Sequence, residues 1–324
     1  MGKASRTKQD LDRRARIAAQ REAQRRAEQR KRIYIAGGSV LVVAIVVIAL
    51  VLVKLNSGGS TPAASSGPTG SALAAVTKQV TDVPTSVTDK VGDGGVNKGL
   101  FVSAPTSADV QSAATNLGSY FATVNGTALT ANGKPEVLFM GGEYCPYCAA
   151  QRWAIVNALS RFGTFTGLTT THSSSTDAYP NTPSFTFYGS KYTSNYITFV
   201  PVEQYTNISN GSGGYTTLQT PTSAQAALAA QYDPGTGTGS PIPFIDMGNK
   251  YVQVGNLSPL SPQLLQGLSW AQVAADMNNP NSSVGQAEIG NANYMTAAIC
   301  KLTGNQPASA CTPTIQKLEA NLAS

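Results

Sequence analysis

A Cys-x-x-Cys motif between an apolar run and an amphipathic stretch constrains the fold of this chain most strongly. Glu136–Met140 (EVLFM) is a short apolar run bounded by turn residues, which predicts a buried β-strand. Two glycines follow, then Cys145 and Cys148 in the sequence CPYC, then a helical pattern that ends near Phe162. This succession predicts an α/β domain with both cysteines at the start of a helix.

The start of a helix favours thiol chemistry. The free N–H groups and the positive dipole end of a helix stabilise a thiolate, so we expect a lowered pKa for Cys145. Cys148 lies one turn further along, where it is close enough to attack a mixed disulfide formed at Cys145. Pro146 is compatible with the first helical turn, where a missing N–H costs no hydrogen bond. We therefore expect Cys145 to be the nucleophile and Cys148 the resolving thiol.

Zinc sites also begin with Cys-x-x-Cys, but they need further cysteine or histidine ligands. The sequence contains four cysteines and one histidine, His172, which is expected at a strand end or in a loop. A zinc site completed by Cys300 and Cys311 is the alternative, although two local pairs fit disulfide chemistry better. We expect a structural Cys300–Cys311 disulfide, no metal and no other cofactor. An electron relay through Cys300 and Cys311 is the alternative role for that pair.

An uncharged run of 21 residues, Ile33–Val53, precedes the domain. It corresponds to about 31 Å of helix, the thickness of a bilayer core, and predicts a single transmembrane helix over 33–54. A cleaved signal peptide is the alternative, but its apolar region is normally shorter, about 7–15 residues. The three basic residues 30–32 before the run, against Lys54 alone after it, place the N-terminus in the cytoplasm.

The net charge of +6 comes from the N-terminal tail. Residues 1–32 contain twelve Lys/Arg and four Asp/Glu, which leaves eleven basic and thirteen acidic residues elsewhere. A basic tail alone would indicate nucleic-acid binding, but beside a transmembrane helix it is expected to set the topology. Residues 55–75 are rich in Gly, Ser, Pro and Ala and predict a flexible linker. We expect the domain 76–324 outside the cytoplasm at the cell membrane, with no nucleic-acid partner.

Further elements follow from turn residues and apolar spacing. Gly248 and Asn249 separate two short apolar runs, which predicts a β-hairpin with strands Phe244–Met247 and Tyr251–Val254. Two or three strands are expected between Phe165 and Asn207. Helices are predicted over Ser107–Val124, Thr222–Gln231, Ser261–Met277 and Val284–Leu302.

EVLFMGGEYCPYC resembles the active-site strand and loop of the thioredoxin superfamily. Ile242–Pro243 before the hairpin resembles the cis-proline and antiparallel strand pair of that superfamily. The resemblance implies a thioredoxin-like fold in which Pro243 presents a substrate strand to Cys145 and Cys148. Because Cys145 and Pro243 are 98 positions apart, we expect a large insertion between the active-site helix and the cis-Pro strand.

The resemblance also identifies one departure and a substrate surface. Thioredoxins keep a buried acid in the active-site strand that helps to deprotonate the resolving cysteine, and this chain has Phe139 there. The nearest acid, Glu143, is expected to be a surface-loop carboxylate, with proton transfer as the alternative. Tyr144 and Tyr147 flank the reactive thiol and, with Ile242, are expected to shape the substrate-binding surface.

More narrowly, the segments EYCPYCAAQRWAIVNALSRFGTF, PNTPSFTFYGSKYTSNYITF and NYMTAAICKLTGNQPASAC are similar to an uncharacterised family of membrane-anchored, thioredoxin-like proteins, domain of unknown function 929. The similarity covers most of the chain from Val76 onward. We expect an extracytoplasmic thiol–disulfide oxidoreductase that acts on protein thiols or disulfides as an oxidase or isomerase, with a membrane redox partner. The alternative is a non-catalytic module that holds a protein partner or a soft metal such as Cu(I) between the thiols.

Overall fold

The computed structural model describes residues 67–94, 121–124, 126–232, 242–254 and 260–322. The predicted tail, the predicted membrane helix and most of the predicted linker lie outside these residues, as does nearly all of the predicted helix Ser107–Val124. Within the described part of the chain, no helix is both long and apolar enough to cross a membrane.

The described residues form seven α-helices, one 3₁₀ helix and twelve strands. The helices are α1 (Gly70–Thr81), α2 (Thr85–Val91), α3 (Pro146–Ser160), α4 (Ser223–Gln231), α5 (Trp270–Met277), α6 (Ser283–Thr303) and α7 (Pro313–Glu319), with the 3₁₀ helix Pro262–Leu265 before α5. The strands are β1 (Ala122–Thr123), β2 (Thr130–Ala131), β3 (Lys134–Gly141), β4 (Gly163–Thr166), β5 (Thr169–His172), β6 (Pro183–Thr186), β7 (Lys191–Ser194), β8 (Thr198–Glu203), β9 (Tyr205–Ser209), β10 (Tyr215–Thr217), β11 (Phe244–Met247) and β12 (Tyr251–Val254).

A six-stranded sheet lies at the centre, with the order β1–β12–β11–β3–β2 and with β8 paired to β3. β3 contains the predicted strand Glu136–Met140 and pairs antiparallel with β11 and parallel with β8. A parallel pair needs a crossover connection, which here includes α3. The β11–β12 hairpin has the predicted bounds, and at its turn Gly248 and Asn249 have φ of +66° and +52°. These left-handed values explain why glycine and asparagine occupy the turn.

Several predicted boundaries are corrected by the structure. The predicted linker 55–75 is wrong at its end, because α1 begins at Gly70. An apolar stripe at i, i+3 and i+7 holds this helix on the domain through Leu73, Val76 and Val80. The predicted helix Ser261–Met277 is instead a 3₁₀ helix followed by α5, and Gly267 between them has φ of +77°. β1 replaces the end of the predicted helix that began at Ser107.

The segment between α3 and β11, called the insertion below, includes four whole strands (β5, β6, β7 and β8) between Phe165 and Asn207, where two or three were predicted. Besides β8, it contains three two-stranded antiparallel sheets, β4–β7, β5–β6 and β9–β10, and the helix α4. The strands of these small sheets are three to five residues long and rich in Thr, Ser and Tyr. Side chains from β9, β10 and the segment between β5 and β6 contact the two tyrosines next to Cys145 and Cys148.

The central sheet separates two apolar layers. Side chains alternate along β3, so Val137 and Phe139 face the larger layer, whereas Leu138 and Met140 face the smaller one. α3, α5 and α6 belong to the larger layer, and α4 to the smaller one. Thirteen of the fifteen residues of α3 are buried. The prediction that only one face of this helix packs inward is therefore wrong, because α6 and the insertion cover its other faces.

Glu288 on α6 gives a pH-dependent prediction. It is 2 % exposed, and burial raises its pKa well above the ordinary value, although a hydrogen bond with the backbone of Ala154 opposes the shift. A carboxyl whose pKa is raised on folding stabilises the protein below its unfolded pKa and loses that contribution as the pH rises toward the folded pKa. We therefore expect Glu288→Gln to raise the free energy of unfolding near pH 8.

Urea unfolding near pH 4 and near pH 8 measures this effect. The gain should disappear near pH 4, where Glu288 is protonated in both the folded and the unfolded chain. A gain of the same size at both pH values would contradict a buried neutral carboxyl at position 288.

Candidate functional site

The two cysteines of the CPYC motif lie at the N-terminus of α3. Cys145 is the N-cap residue, Pro146 is the first residue of the helix, and the Cys145 Sγ accepts a hydrogen bond from the Cys148 N–H at 3.3 Å. An N-cap side chain normally satisfies one of the unpaired N–H groups of a helix, and here a sulfur does so. Both thiols are free. The sequence therefore placed the motif correctly in the local structure.

Both sulfurs are buried, although the attack predicted for Cys145 needs an accessible thiol. Cys145 is 6 % exposed and Cys148 is 0 % exposed. Cys148 is covered because every face of α3 is packed. Cys145 is slightly more exposed than Cys148, but its sulfur still has limited access to solvent.

The protonation tendencies of the two thiols are opposed. Burial raises the pKa of Cys145, but hydrogen bonds from the side chain and backbone of Cys148, with the positive charge of Arg152, outweigh burial and lower the pKa overall. Burial raises the pKa of Cys148 well above its ordinary value, and the hydrogen bond to Cys145 and its charge raise it further. Of the two thiols, Cys145 is therefore the one that ionises more readily, and Cys148 is the one that keeps its proton.

The Ile242–Pro243 peptide bond is cis. In the antiparallel pair β3–β11, Phe244 is paired with Met140, so the same register continued past the strands brings Pro243 beside Gly141. A Cβ atom added to Gly142 would lie 3.5 Å from Ile242 Cδ1. The proline loop and the loop that leads to Cys145 are therefore neighbours.

Aromatic side chains of the insertion pack on the two tyrosines of the motif region. Tyr144 stacks on Tyr215 with ring centroids 4.1 Å apart and makes an edge contact with Tyr205 at 6.1 Å. Tyr147 makes an edge contact with Tyr179 at 6.1 Å. Elements far apart in sequence thus bring aromatic rings into contact with both tyrosines of the motif region.

Backbone hydrogen bonds tie the same loop to the insertion. The Glu143 N–H donates to the Tyr205 carbonyl, and the Ser174 N–H donates to the Tyr144 carbonyl, both at 2.8 Å. Glu143 is partly buried rather than a free surface carboxylate. Burial raises its pKa, against hydrogen bonding by Thr186 and the charge of Arg152.

His172 is the last residue of β5, a strand end as predicted.

A buried ion pair lies beside the thiols and was missed in the sequence. Arg152 and Glu203 are both fully buried, with Nε–Oε1 and Nη2–Oε2 distances of 2.9 and 2.6 Å. Arg152 is four residues after Cys148, so helical spacing puts both on one face, which is the signal the sequence did contain. Glu203 ends β8 and is paired with Gly141 at the end of β3. No local pattern connects it to Arg152.

The site residues fall within a recognised family. A family model described as Domain of unknown function (DUF929) matches residues 120–301, which include Cys145, Cys148, the proline loop and the buried ion pair. Cys311, which forms a disulfide with Cys300, lies beyond the matched range. No curated protein and no solved structure matches the sequence significantly. With more than half of its length matched, the chain belongs to the DUF929 family.

Proposed function

We propose that this chain is an extracytoplasmic thiol–disulfide oxidoreductase with a thioredoxin-like fold. The observation that carries the proposal is the pair of free thiols at the start of α3, in which Cys145 favours the thiolate and Cys148 the thiol. A nucleophilic thiolate next to a second thiol one helical turn away is the arrangement that disulfide exchange requires.

The order of elements around the thiols supports the fold proposal. β3, α3 and β8 form a strand, crossover and parallel strand, and the β11–β12 hairpin then adds an antiparallel pair on the other side of β3. The cis-proline directly precedes that pair. These features agree with the resemblance of the sequence to the thioredoxin superfamily, with the insertion built onto the edge at β8.

In the oxidase direction the chemistry is a two-electron exchange. A substrate thiolate attacks Cys145 Sγ of the oxidised pair, the Cys145–Cys148 bond breaks, and Cys148 leaves as a thiolate that takes up a proton. A second substrate thiolate then attacks the substrate sulfur of the mixed disulfide and releases the Cys145 thiolate. Two substrate thiols become one disulfide, and a membrane redox partner reoxidises the enzyme.

The direction follows from the stabilised thiolate. Stabilising the reduced form of a thiol pair makes the couple more oxidising, and the lowered pKa of Cys145 indicates such stabilisation. Burial and the hydrogen bond to Cys145 keep the proton on Cys148 against the charge of Arg152, and Cys148 is the leaving group when the oxidised pair is attacked. We therefore propose an oxidase or isomerase rather than a reductase.

The membrane placement remains part of the proposal. The uncharged run Ile33–Val53 would anchor the chain, with the basic tail in the cytoplasm and the thiol pair outside, where disulfides persist. Pro243 would present an extended substrate strand, and Tyr144, Tyr147 and Ile242 would line the surface that receives it. The position of Ile242 Cδ1, 3.5 Å from where a Cβ atom on Gly142 would lie, supports this assignment.

Turnover tests the proposed function. Full-length protein in detergent should oxidise a reduced, unfolded protein, and a Cys145→Ala/Cys148→Ala variant should not. Glutathione equilibration followed by mass spectrometry gives the potential of the pair, which we expect above that of thioredoxin, about −270 mV. A potential below that of thioredoxin would contradict the oxidase direction. Absence of turnover in both directions would contradict the proposal that the chain is an enzyme.

The burial of the two sulfurs favours a second candidate function. With Cys145 only 6 % exposed and Cys148 fully buried, the domain resembles a closed scaffold as much as an open active site. Such a scaffold would hold a protein partner or a soft metal such as Cu(I) at the thiols. Stoichiometric Cu(I) binding that depends on both cysteines, without turnover, would favour this candidate.

A further inference from the structure

The ion pair is linked to the thiol pair through α3 and through the central sheet. Arg152 is on the face of α3 that bears Cys148, one turn further into the helix. Glu203 is paired with Gly141, directly before the loop that leads to Cys145. The guanidinium and the carboxylate therefore bridge the active-site helix to the end of the sheet that carries the reactive loop.

The orientation of Arg152 is fixed by several contacts. Two parallel hydrogen bonds join it to Glu203, and the ring of Phe139 lies 5.5 Å from its Cζ atom. Ser184 Oγ, which donates to the Ala149 carbonyl, lies 3.5 Å from its Nη1 atom. Phe139 is at the strand position where thioredoxins have a buried acid, and its ring packs against the Arg152 guanidinium.

Stability alone does not account for this pair. Removing two charges from water costs several kcal/mol for each ion, and well-packed apolar residues of similar volume are often as stable. A buried guanidinium near two cysteines has a second effect, because its charge favours the thiolate form of both Cys145 and Cys148. Its partner Glu203 has the opposite charge, so the two residues should act on the thiols with opposite signs.

We propose that Arg152, held in place by Glu203, is a positioning residue that stabilises the Cys145 thiolate and thereby makes the thiol pair more oxidising. The inference deepens the proposed function and rests on it. In the oxidase reaction the Cys145 thiolate is the final leaving group of the mixed disulfide, so a charge that stabilises it favours transfer of the disulfide to the substrate.

Other ionisable groups act on the same loop from the elements packed against it. They are Glu143 and Tyr144 in the loop, Tyr205 on β9, His172 on β5 and Asp177 in the segment after β5. Their acidic members oppose a thiolate. Arg152 is the fully buried cation among the groups that favour it.

The pH dependence of Cys145 alkylation by iodoacetamide tests the inference in the full-length chain. Arg152→Met should slow alkylation at pH 7 about tenfold and move the midpoint to higher pH, because the thiolate is the nucleophile. Arg152→Lys keeps the charge and should retain most of the rate. Glu203→Gln removes the opposing charge but keeps a side-chain oxygen that accepts a hydrogen bond from Arg152, so it should move the midpoint to lower pH. Midpoints that move in the same direction for Arg152→Met and Glu203→Gln, or do not move, would refute the proposal.

Each single variant leaves one buried charge unpaired, which destabilises the fold, so the test includes a check of folding and a variant without the unpaired charge. Circular dichroism identifies folded variants, and the double variant Arg152→Met/Glu203→Gln removes both charges. If the single variants unfold, the double variant should still alkylate several-fold more slowly at pH 7 than the wild type, and an unchanged rate would overturn the inference. Alkylation requires no substrate protein. A chain without turnover but with these shifts would therefore contradict the proposed function and leave the role of Arg152 standing.

Discussion

Replacement of Cys148 by serine is expected to trap substrates as stable mixed disulfides with Cys145. The resolving thiol is then absent, so the covalent intermediate persists until an external thiol attacks it. Serine is close to cysteine in size, and α3 packs tightly around this position, so the helix start should be retained. The complexes should appear on non-reducing gels of cells that express the full-length variant, disappear on reduction, and identify the substrates by mass spectrometry.

Two controls make the trapping result specific. Cys145→Ser and the double variant Cys145→Ser/Cys148→Ser lack the nucleophile and should give at least about tenfold fewer complexes, since exchange proceeds through the thiolate. Complexes of equal abundance in Cys145→Ser would identify Cys148 as the attacking thiol and overturn the assignment of roles. If no variant forms complexes although the domain is folded, the near-complete burial of Cys145 excludes protein substrates, and the binding module becomes the better explanation.

The local part of the site could be predicted because it is built from neighbours in sequence. The apolar strand, the two glycines, the two cysteines and the proline at the first turn of the helix each obey a local rule. The hairpin Phe244–Val254 could be predicted for the same reason, since Gly248 and Asn249 adopt left-handed backbone angles at its turn. That the thiol loop and the proline loop are neighbours was implied by the resemblance to the thioredoxin superfamily and not by these local rules.

The environment of the thiols could not be predicted, because it is assembled by tertiary contacts. Arg152 and Glu203 are 51 positions apart and meet through the parallel pairing of β3 with β8. A polar side chain on a helix is normally assigned to the solvent face, and Gln151, Arg152 and Asn157 follow that pattern in sequence. In the fold all three are buried, because the other faces of α3 are covered by α6 and the insertion.

The aromatic residues that contact the motif region could not be predicted for a different reason. Tyr205 and Tyr215 are on the short strands β9 and β10, which form a two-stranded sheet. Tyr179 is in the segment between β5 and β6, the short strands of another two-stranded sheet. Such segments bury few apolar side chains, so hydrophobic periodicity gives a weak signal. Because these segments contact Tyr144 and Tyr147, the residues on either side of Cys145, the sequence did not indicate how deeply Cys145 would be buried.

Loss of the Cys300–Cys311 disulfide is expected to lower the stability of the domain and to leave its thiol chemistry intact. The bond links the end of α6 to the residue before the N-cap of α7, and both cysteines are buried. Closing a loop with a sequence separation of 11 should stabilise the fold by about 3 kcal/mol through the entropy of the unfolded chain. A Cys300→Ala/Cys311→Ala variant should therefore unfold at lower urea concentration, while Cys145 alkylation keeps the wild-type rate.

The same experiment separates a structural bond from an electron relay. Wild type treated with a reductant should match the stability of the double alanine variant, because in both cases the unfolded chain is no longer closed into a loop. Turnover of the variant, measured below its unfolding temperature, should remain within about twofold of wild type if the bond acts on stability alone. If turnover is lost while alkylation of Cys145 and the folded state persist, Cys300 and Cys311 exchange electrons with the active pair, and their assignment as a structural disulfide is wrong.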